Sequence, residues 1–473
     1  MKYRISRRKF IKTAGIGVAG LALGPRMLGN AFAKMSGKRT LRILQWSHFV
    51  PKYDTWFDPY AKAWGEKHNV DVVVDHISLS DLRSTFASEV VAGKGHDLVE
   101  FLNPPSDFEP SVMDLTDVNQ AAVKRFGKQV PVAYRSSYNP DTKKYYGFCH
   151  GWTIDPGDYR KSLWEKVGKP DGPRTWEDLL VYGSKIKKQL GVQAGIGLSQ
   201  ELDSNMAGRA LLWSFDTGIQ DEHERVVLNN KRTIEAVKYM KNLYEQALTP
   251  EVFGWVPASN NQLLLAGRAS YILNSISAYR SAQKKVPEIA KDVYFTPALK
   301  GPGGSGWASE HVIYVSVIPK FASANADLAK QFLLDLVANY DQAVWNSELY
   351  NTPSFFHAAL PHGHRGYPAV KGAKTMRDVF HAWFDKDPFA LPGESKNKLL
   401  PLENAETWST NVGHPGPANP AIGEIFGTFV IPNMFARVVQ GQQSAEASVK
   451  QADAECRKIF EKWQAQGLIK KAA

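Results

Sequence analysis

Residues 145–156 read YYGFCHGWTIDP, and the fold turns on how they are read. Strand-like and helix-like segments alternate before this stretch, and a second such alternation begins after it, so one α/β unit hands over to another here. Aromatic residues and glycines dominate the passage. A segment that joins two α/β lobes passes between them, and clefts between domains are favoured places for small ligands. Trp152 is therefore expected to line a cleft.

Toward the N-terminus, residues 41–45 read as a first strand ending in Trp46-Ser47-His48. Asp58-Pro59 suits a helix start, 70–75 a second strand, Ser80 the cap of a helix closed by Gly93, and 98–102 a third strand stopped by Asn103-Pro104-Pro105. This β-α-β-α-β order implies a largely parallel sheet, whose ligands gather at the carboxyl ends of the strands. Those ends carry Trp46, His48 and Asn103.

Toward the C-terminus, Thr175-Trp176-Glu177-Asp178 has capping-box spacing, and 194–198 reads as a strand. Leu211, Leu212 and Trp213 lie on one helix, and Thr233, Ala236, Val237, Met240 and Leu243 recur at helical spacing on another. A strand over 269–273 ends in Asn274-Ser275. Strands return at 293–296 and 311–318 around the loop GPGGSGW, residues 301–307. Residues 352–420, rich in Pro, Gly and His, carry no clear period, and helices resume near Ile425.

A chain of 473 residues exceeds one ordinary core, so two domains are expected. The formal charge of +11 is concentrated at the start. Residues 1–33 hold seven of the 58 Lys and Arg and no acid, which leaves 51 against 47 Asp and Glu, a net of +4. No nucleic-acid partner is implied. Ser6-Arg7-Arg8-Lys9-Phe10-Ile11-Lys12, the short apolar run 14–23 and Ala31-Phe32-Ala33 together resemble a twin-arginine export signal. The run is too short to cross a hydrocarbon core, which needs about twenty residues. Cleavage after Ala33 and a soluble periplasmic monomer are expected. Cys149 and Cys456 are the two cysteines, without iron–sulfur or haem spacing; a disulfide stays open, although Cys456 falls on the stripe Ala445, Val449, Ala452, Ile459, Trp463 of a helix.

Several short passages occur in a telling order: Trp46 followed by an aromatic helix, Leu115-Thr116-Asp117, Tyr146-Gly147-Phe148, LWEKVG at 163–168 leading to PRTWEDL at 173–179, LAGRASY at 265–271, and Phe332-Leu333 on a late helix. In this order the chain resembles the bacterial extracellular solute-binding proteins of ATP-binding-cassette (ABC) importers, in the maltose-binding-protein-like group. The resemblance implies an α/β, two-lobed periplasmic-binding-protein fold (type II), with hinge strands and an interlobe ligand cleft. It implies an N-lobe of 34–150 and 293–320, and a C-lobe of 151–292 and 321–473. The partners implied are a small solute, an inner-membrane ABC permease and the twin-arginine translocation machinery. No chemistry is required of such a protein.

Sugars present flat C–H faces ringed by hydroxyls, so aromatic plates and polar rim groups are sought together. Trp46, Trp152, Trp255 and Trp307 stand at strand ends or in loops, and Trp213 on a helix is a further candidate. His48, Asn103, Asn274 and Glu310 are the candidate polar contacts. No catalytic group, metal or cofactor is expected. Cys149 and His150 point to opposite faces of an extended segment. Gly301, Gly303 and Gly306 satisfy G-x-G-x-x-G without a following helix to hold a phosphate. His357, His362 and His364 lack zincin spacing, and neighbouring Tyr145 and Tyr146 diverge as an iron-binding pair would not. The alternatives are a polyamine or other small solute as ligand, or a secreted metal-dependent hydrolase, against which the lack of a nucleophile elbow and of H-E-x-x-H counts.

Overall fold

The computed structural model describes residues 38–363 and 365–470. The export signal, its cleavage point and His364 lie outside the described residues.

The strand Arg39–Trp46 is the keel of the first lobe. Its last four residues are buried, as expected of a parallel strand covered on both faces. It pairs in parallel with Val70–Ile77 on one side and Leu98–Phe101 on the other. The sheet runs Thr352–Pro353, Phe148–Thr153, Val312–Val317, Leu98–Phe101, Arg39–Trp46, Val70–Ile77. Phe148–Thr153 is therefore a strand of this sheet, antiparallel to Val312–Val317, with all six residues buried. The crossing is shorter than the stretch that announced it. The chain leaves the sheet at Thr153, and after residues 154–156 it enters the second sheet as Gly157–Arg160.

That second sheet has the order Val293–Thr296, Gly157–Arg160, Ala269–Leu273, Gln193–Gly195. Val293–Thr296 was expected to return to the first lobe. Instead Val293 opposes Arg160 and Thr296 opposes Gly157 in an antiparallel pair, so the return begins only with the later strand Val312–Val317. Capping-box geometry starts the helix Trp176–Leu190: Thr175 Oγ1 accepts the Asp178 N–H at 2.9 Å and Asp178 reaches back to the Thr175 N–H.

The span 321–473 was expected to complete the second lobe, and its first part does not. The helix Ala326–Ala338 packs against Thr116–Phe126 and the strand Phe148–Thr153, and Tyr340–Asn346 packs against Lys52–His68. Phe332 stands edge-on to Trp64 and Phe57, with ring centroids 5.2 and 6.0 Å apart. An apolar stripe of Ala329, Phe332, Leu333 and Leu336 fits wherever a complementary apolar face is free, and here that face belongs to the first lobe. Val430–Val439 and Ala445–Ala465 do pack on second-lobe helices, Lys231–Ala247 among them. Pro420–Gly427 bridges back to Ser106–Ser111 of the first lobe.

Residues 352–420, unreadable by period, form a wrap. Thr375 and Asp378 make a second capping box at the start of Met376–Asp385. Beyond it, Asp387 receives Arg280 in a two-pronged pair at 2.7 and 3.0 Å, buried at both ends. A short parallel ribbon lies between the lobes, Ala308–Ser309 against the helix Leu202–Ser214 and its partner Ser409–Thr410 against Pro131–Arg135. Cys149 and Cys456 are free thiols, both buried, the latter on the inward face that its spacing predicted.

Candidate functional site

A cavity of about 450 Å³ opens between the lobes. On the first-lobe side it is reached from the carboxyl ends of parallel strands: Leu79 and Ser80 follow Val70–Ile77, and Asn103 follows Leu98–Phe101. On the second-lobe side Glu201 caps the helix Leu202–Ser214, its carboxylate accepting the Asp203 N–H at 2.7 Å and the Ser204 N–H. The third contribution comes from the break between the helices Pro420–Gly427 and Val430–Val439. There Phe429, at φ 57°, turns the chain and brings its ring, with Phe426 and Gly427, to the cavity.

Aromatic plates and a few polar groups therefore face one space. Phe101, Phe108, Phe426 and Phe429 supply the plates. The Arg83 guanidinium stacks 5.0 Å from the Phe108 ring and pairs with Asp107. Bare backbone at Gly427 admits it, since a Cβ there would come within 2.5 Å of Arg83 Nε. Arg83 Nη1, Asn103 Nδ2 and Asp107 Oδ1 are buried without hydrogen-bond partners. Two donors and one acceptor thus remain unspent at this wall, an arrangement that costs stability unless something else is gained. Burial raises the Asp107 carboxyl, and the Arg83 charge opposes it.

Beneath the cavity the crossing segments meet in a polar cluster. His311 Nδ1 lies 3.0 Å from Asp155 Oδ1, and its Nε2 lies 3.9 Å from Asp203 Oδ1. Asn260 donates to Asp203 Oδ2 at 2.6 Å. Burial lifts Asp203 well above the usual carboxylate range, with Glu201 and then Asp155 adding to the effect. Asp155 belongs to the first crossing and His311 to the return, so the cluster ties hinge to lobe.

Of the residues expected at a ligand, Asn103 lines this cavity. Trp255 stands behind it, 7 % exposed, its indole packed over Gly195 and Gly197 while Pro257 lines the wall. Trp46 and His48 are turned into the first-lobe core. Their ring centroids are 4.8 Å apart, and His48 stacks on Tyr53 at 4.6 Å. Burial holds the His48 imidazole down to about 3, and its Nε2 lies 2.9 Å from Asn351 Oδ1. Trp152 is wholly buried on an inner strand of the first sheet, opposite Ile313 and Thr352 of the flanking strands, and does not line this cavity. Asn274 straps the crossing, its N–H donating to Pro156 O at 3.2 Å and its side chain to Asn261 at 2.9 Å. Glu310 is buried at the interlobe ribbon. Trp213 and Trp307 come together elsewhere, around His414. Arg83, Glu201 and Phe429 escaped the sequence reading. Phe429 carried one signal, a break in helical period at Gly427-Thr428.

The groups weighed for chemistry in the sequence are placed as follows. His150 Nε2 pairs with Glu100 at 2.7 Å, and burial pushes the Cys149 thiol up to about 12. The loop glycines serve close packing: a Cβ on Gly301 would fall 1.6 Å from the Ser214 carbonyl oxygen. The Tyr146 hydroxyl donates to Ala418 O at 3.2 Å while Tyr145 packs against Tyr138. Among the described residues, no group of three or more His, Cys, Asp or Glu is arranged for a metal ion, and no single helix is long and apolar enough to cross a membrane.

Two α/β lobes, joined by repeated crossings and enclosing a cavity at the strand ends, define a solute-binding fold. The family model for the bacterial extracellular solute-binding protein matches residues 50–334, and the chain belongs to that family. A chain of Brucella abortus (strain 2308), named as a binding protein, is 26% identical over 149 residues, 31% of this chain and 36% of that one. This chain thus matches about a third of the length of the first curated relatives. The arabinooligosaccharide-binding protein of Bacillus subtilis (strain 168) is 21% identical over 319 residues, covering 64% of this chain and 71% of its own. Among solved structures, maltose-bound MalE3 of T. maritima superposes with a TM-score of 0.70 at 20% identity, over 89% of this chain and 99% of that one. That likeness is one of fold.

Proposed function

We propose that this protein captures a carbohydrate or sugar-like solute between its lobes and delivers it to the permease of an ABC importer. The observation that carries this reading is the interlobe cavity itself, which four phenylalanine rings line together with Arg83 and Asn103. Rings accept the C–H face of a sugar, and the donors answer its oxygens. The maltose and arabinooligosaccharide named for its relatives agree with that chemistry. Binding favours whichever lobe arrangement makes contacts from both sides, so the solute shifts the population toward closure, the form a permease would read.

The leader supports export by the twin-arginine machinery, cleavage after Ala33 and work in the periplasm, where a monomer is the state proposed. A second reading, a polyamine ligand, draws on Glu201, which lines the cavity, and on Asp203 and Asp155 beneath it. Thermal melting of residues 34–473 separates the two. Ligands of the folded state raise the midpoint, so malto-, arabino- and laminari-oligosaccharides and alditols are compared with polyamines. A concentration-dependent rise with at least one carbohydrate is expected; a rise with polyamines alone would replace this reading with the second.

A further inference from the structure

The second lobe carries another cavity, of about 290 Å³, that solute capture in the cleft leaves unused. It sits at the foot of the interlobe ribbon: Trp307 immediately precedes Ala308–Ser309, and His414 follows Ser409–Thr410. Trp213 forms part of its wall, near the end of the helix whose first turn faces the cleft. Glu201 and Trp213 are twelve positions apart, or about 18 Å along a helix, so the two cavities are distinct sites.

Three rings make one side of this space. His414 stands edge-on to Trp213, with centroids 5.5 Å apart, and lies tilted against Trp307 at 4.7 Å. Burial, reinforced by the Arg135 charge, holds the His414 imidazole down to about 4, so that ring is neutral near pH 7. The charged groups of the lining are Asp216, Asp221 and Glu222, and no Lys or Arg lines it among the described residues. Asp221 is paired with Arg225 at 2.7 Å and Asp216 lies 3.7 Å from Arg232, but both guanidinium groups stand outside the wall. Glu222 has the His223 imidazole, at 3.8 Å, as its basic neighbour.

Indole faces present the negative side of their quadrupole, and they attract cations whose charge is spread over alkyl groups and weakly hydrated. Glu222, the rim carboxylate that is not paired with an arginine, adds the same preference. A neutral ring would stack on the indoles and could donate hydroxyls to the acids, but it would gain no charge attraction from them. We propose that this cavity is a second ligand site, built for an organic cation of the quaternary or alkylated ammonium class.

Isothermal titration with choline, beside its uncharged isostere 3,3-dimethylbutan-1-ol, tests the assignment. Choline is expected to give a saturable one-site heat, and the isostere none. Glu222→Gln, at an exposed position, is expected to weaken choline by about two- to fivefold, and Trp307→Ala to remove the heat. Phe429→Ala, in the cleft, should leave choline binding unchanged. The proposal is overturned by the absence of saturable heat, by an equal response to the isostere, by binding that is unchanged in Glu222→Gln, or by binding lost in Phe429→Ala. Carbohydrate capture in the cleft is read separately, with a different ligand, so failure of this assignment and failure of that one are distinguishable.

Discussion

Glu310 shows what burial does to a single side chain. Both carboxyl oxygens are buried, and burial pushes the group up to about 8, against the opposing pull of its own backbone N–H and of the Arg209 charge. An unfolded chain would release this proton near the ordinary carboxyl range, so folding holds a proton between about 4.5 and 8. The stability this permits is whole below the lower value and is lost as pH rises through the upper one. His48 and His414, held down to about 3 and about 4, act in the opposite sense and cost stability as pH falls below the usual imidazole range. Comparing the wild type with Glu310→Gln cancels the histidines. The two proteins are expected to melt alike at about pH 5, with the variant melting several degrees higher at about pH 9; a constant difference would contradict the buried charge. At this scale the sequence showed residue types but not directions. Trp46, His48 and Asn103 all stand at strand ends, yet the first two turn into a stack with Tyr53 while Asn103 reaches the cavity. One residue of register decides which face a side chain occupies, and period alone does not fix register across a lobe boundary.

Elements were legible where their signals were local. Thr175 with Asp178, the inward stripe holding Cys456, and the first three strands follow from caps and periods written in neighbouring residues. Membership was not legible. Val293–Thr296 pairs with Gly157–Arg160 and Ala326–Ala338 packs on the first lobe, although each would fit either side by pattern. The wrap beyond Tyr350 was illegible for a different reason: it is held by distant pairs. Arg280 and Asp387 lie 107 positions apart and bury their charges against one another. Removing one partner strands the other in the interior. Arg280→Met is expected to cost about 3–5 kcal/mol in chemical denaturation, and the double change with Asp387→Leu to recover most of it. Simple additivity of the two single losses would show that the pair does not anchor the wrap.

The whole molecule is two sheets tied by a short crossing at residues 154–156, a return through His311, and C-terminal helices that touch both lobes. The alternation of strands and helices made the parallel strands Arg39–Trp46, Val70–Ile77 and Leu98–Phe101 readable, because parallel strands need crossovers, whereas the antiparallel pairings that complete both sheets left no such period. The cavity was not readable, since it is assembled from Arg83, Glu201 and Phe429, three places with no common local signal. Solute capture at that cavity predicts closure, and small-angle scattering should show a smaller radius of gyration with a carbohydrate ligand than without. The most direct test is isothermal titration of the carbohydrate that raises the melting point furthest, against wild type and Phe429→Ala. One-site saturation in the wild type, weakened by about tenfold or more in the variant, is the result expected from a ring that faces the solute. Equal affinity in the two proteins would place the solute somewhere other than between the lobes.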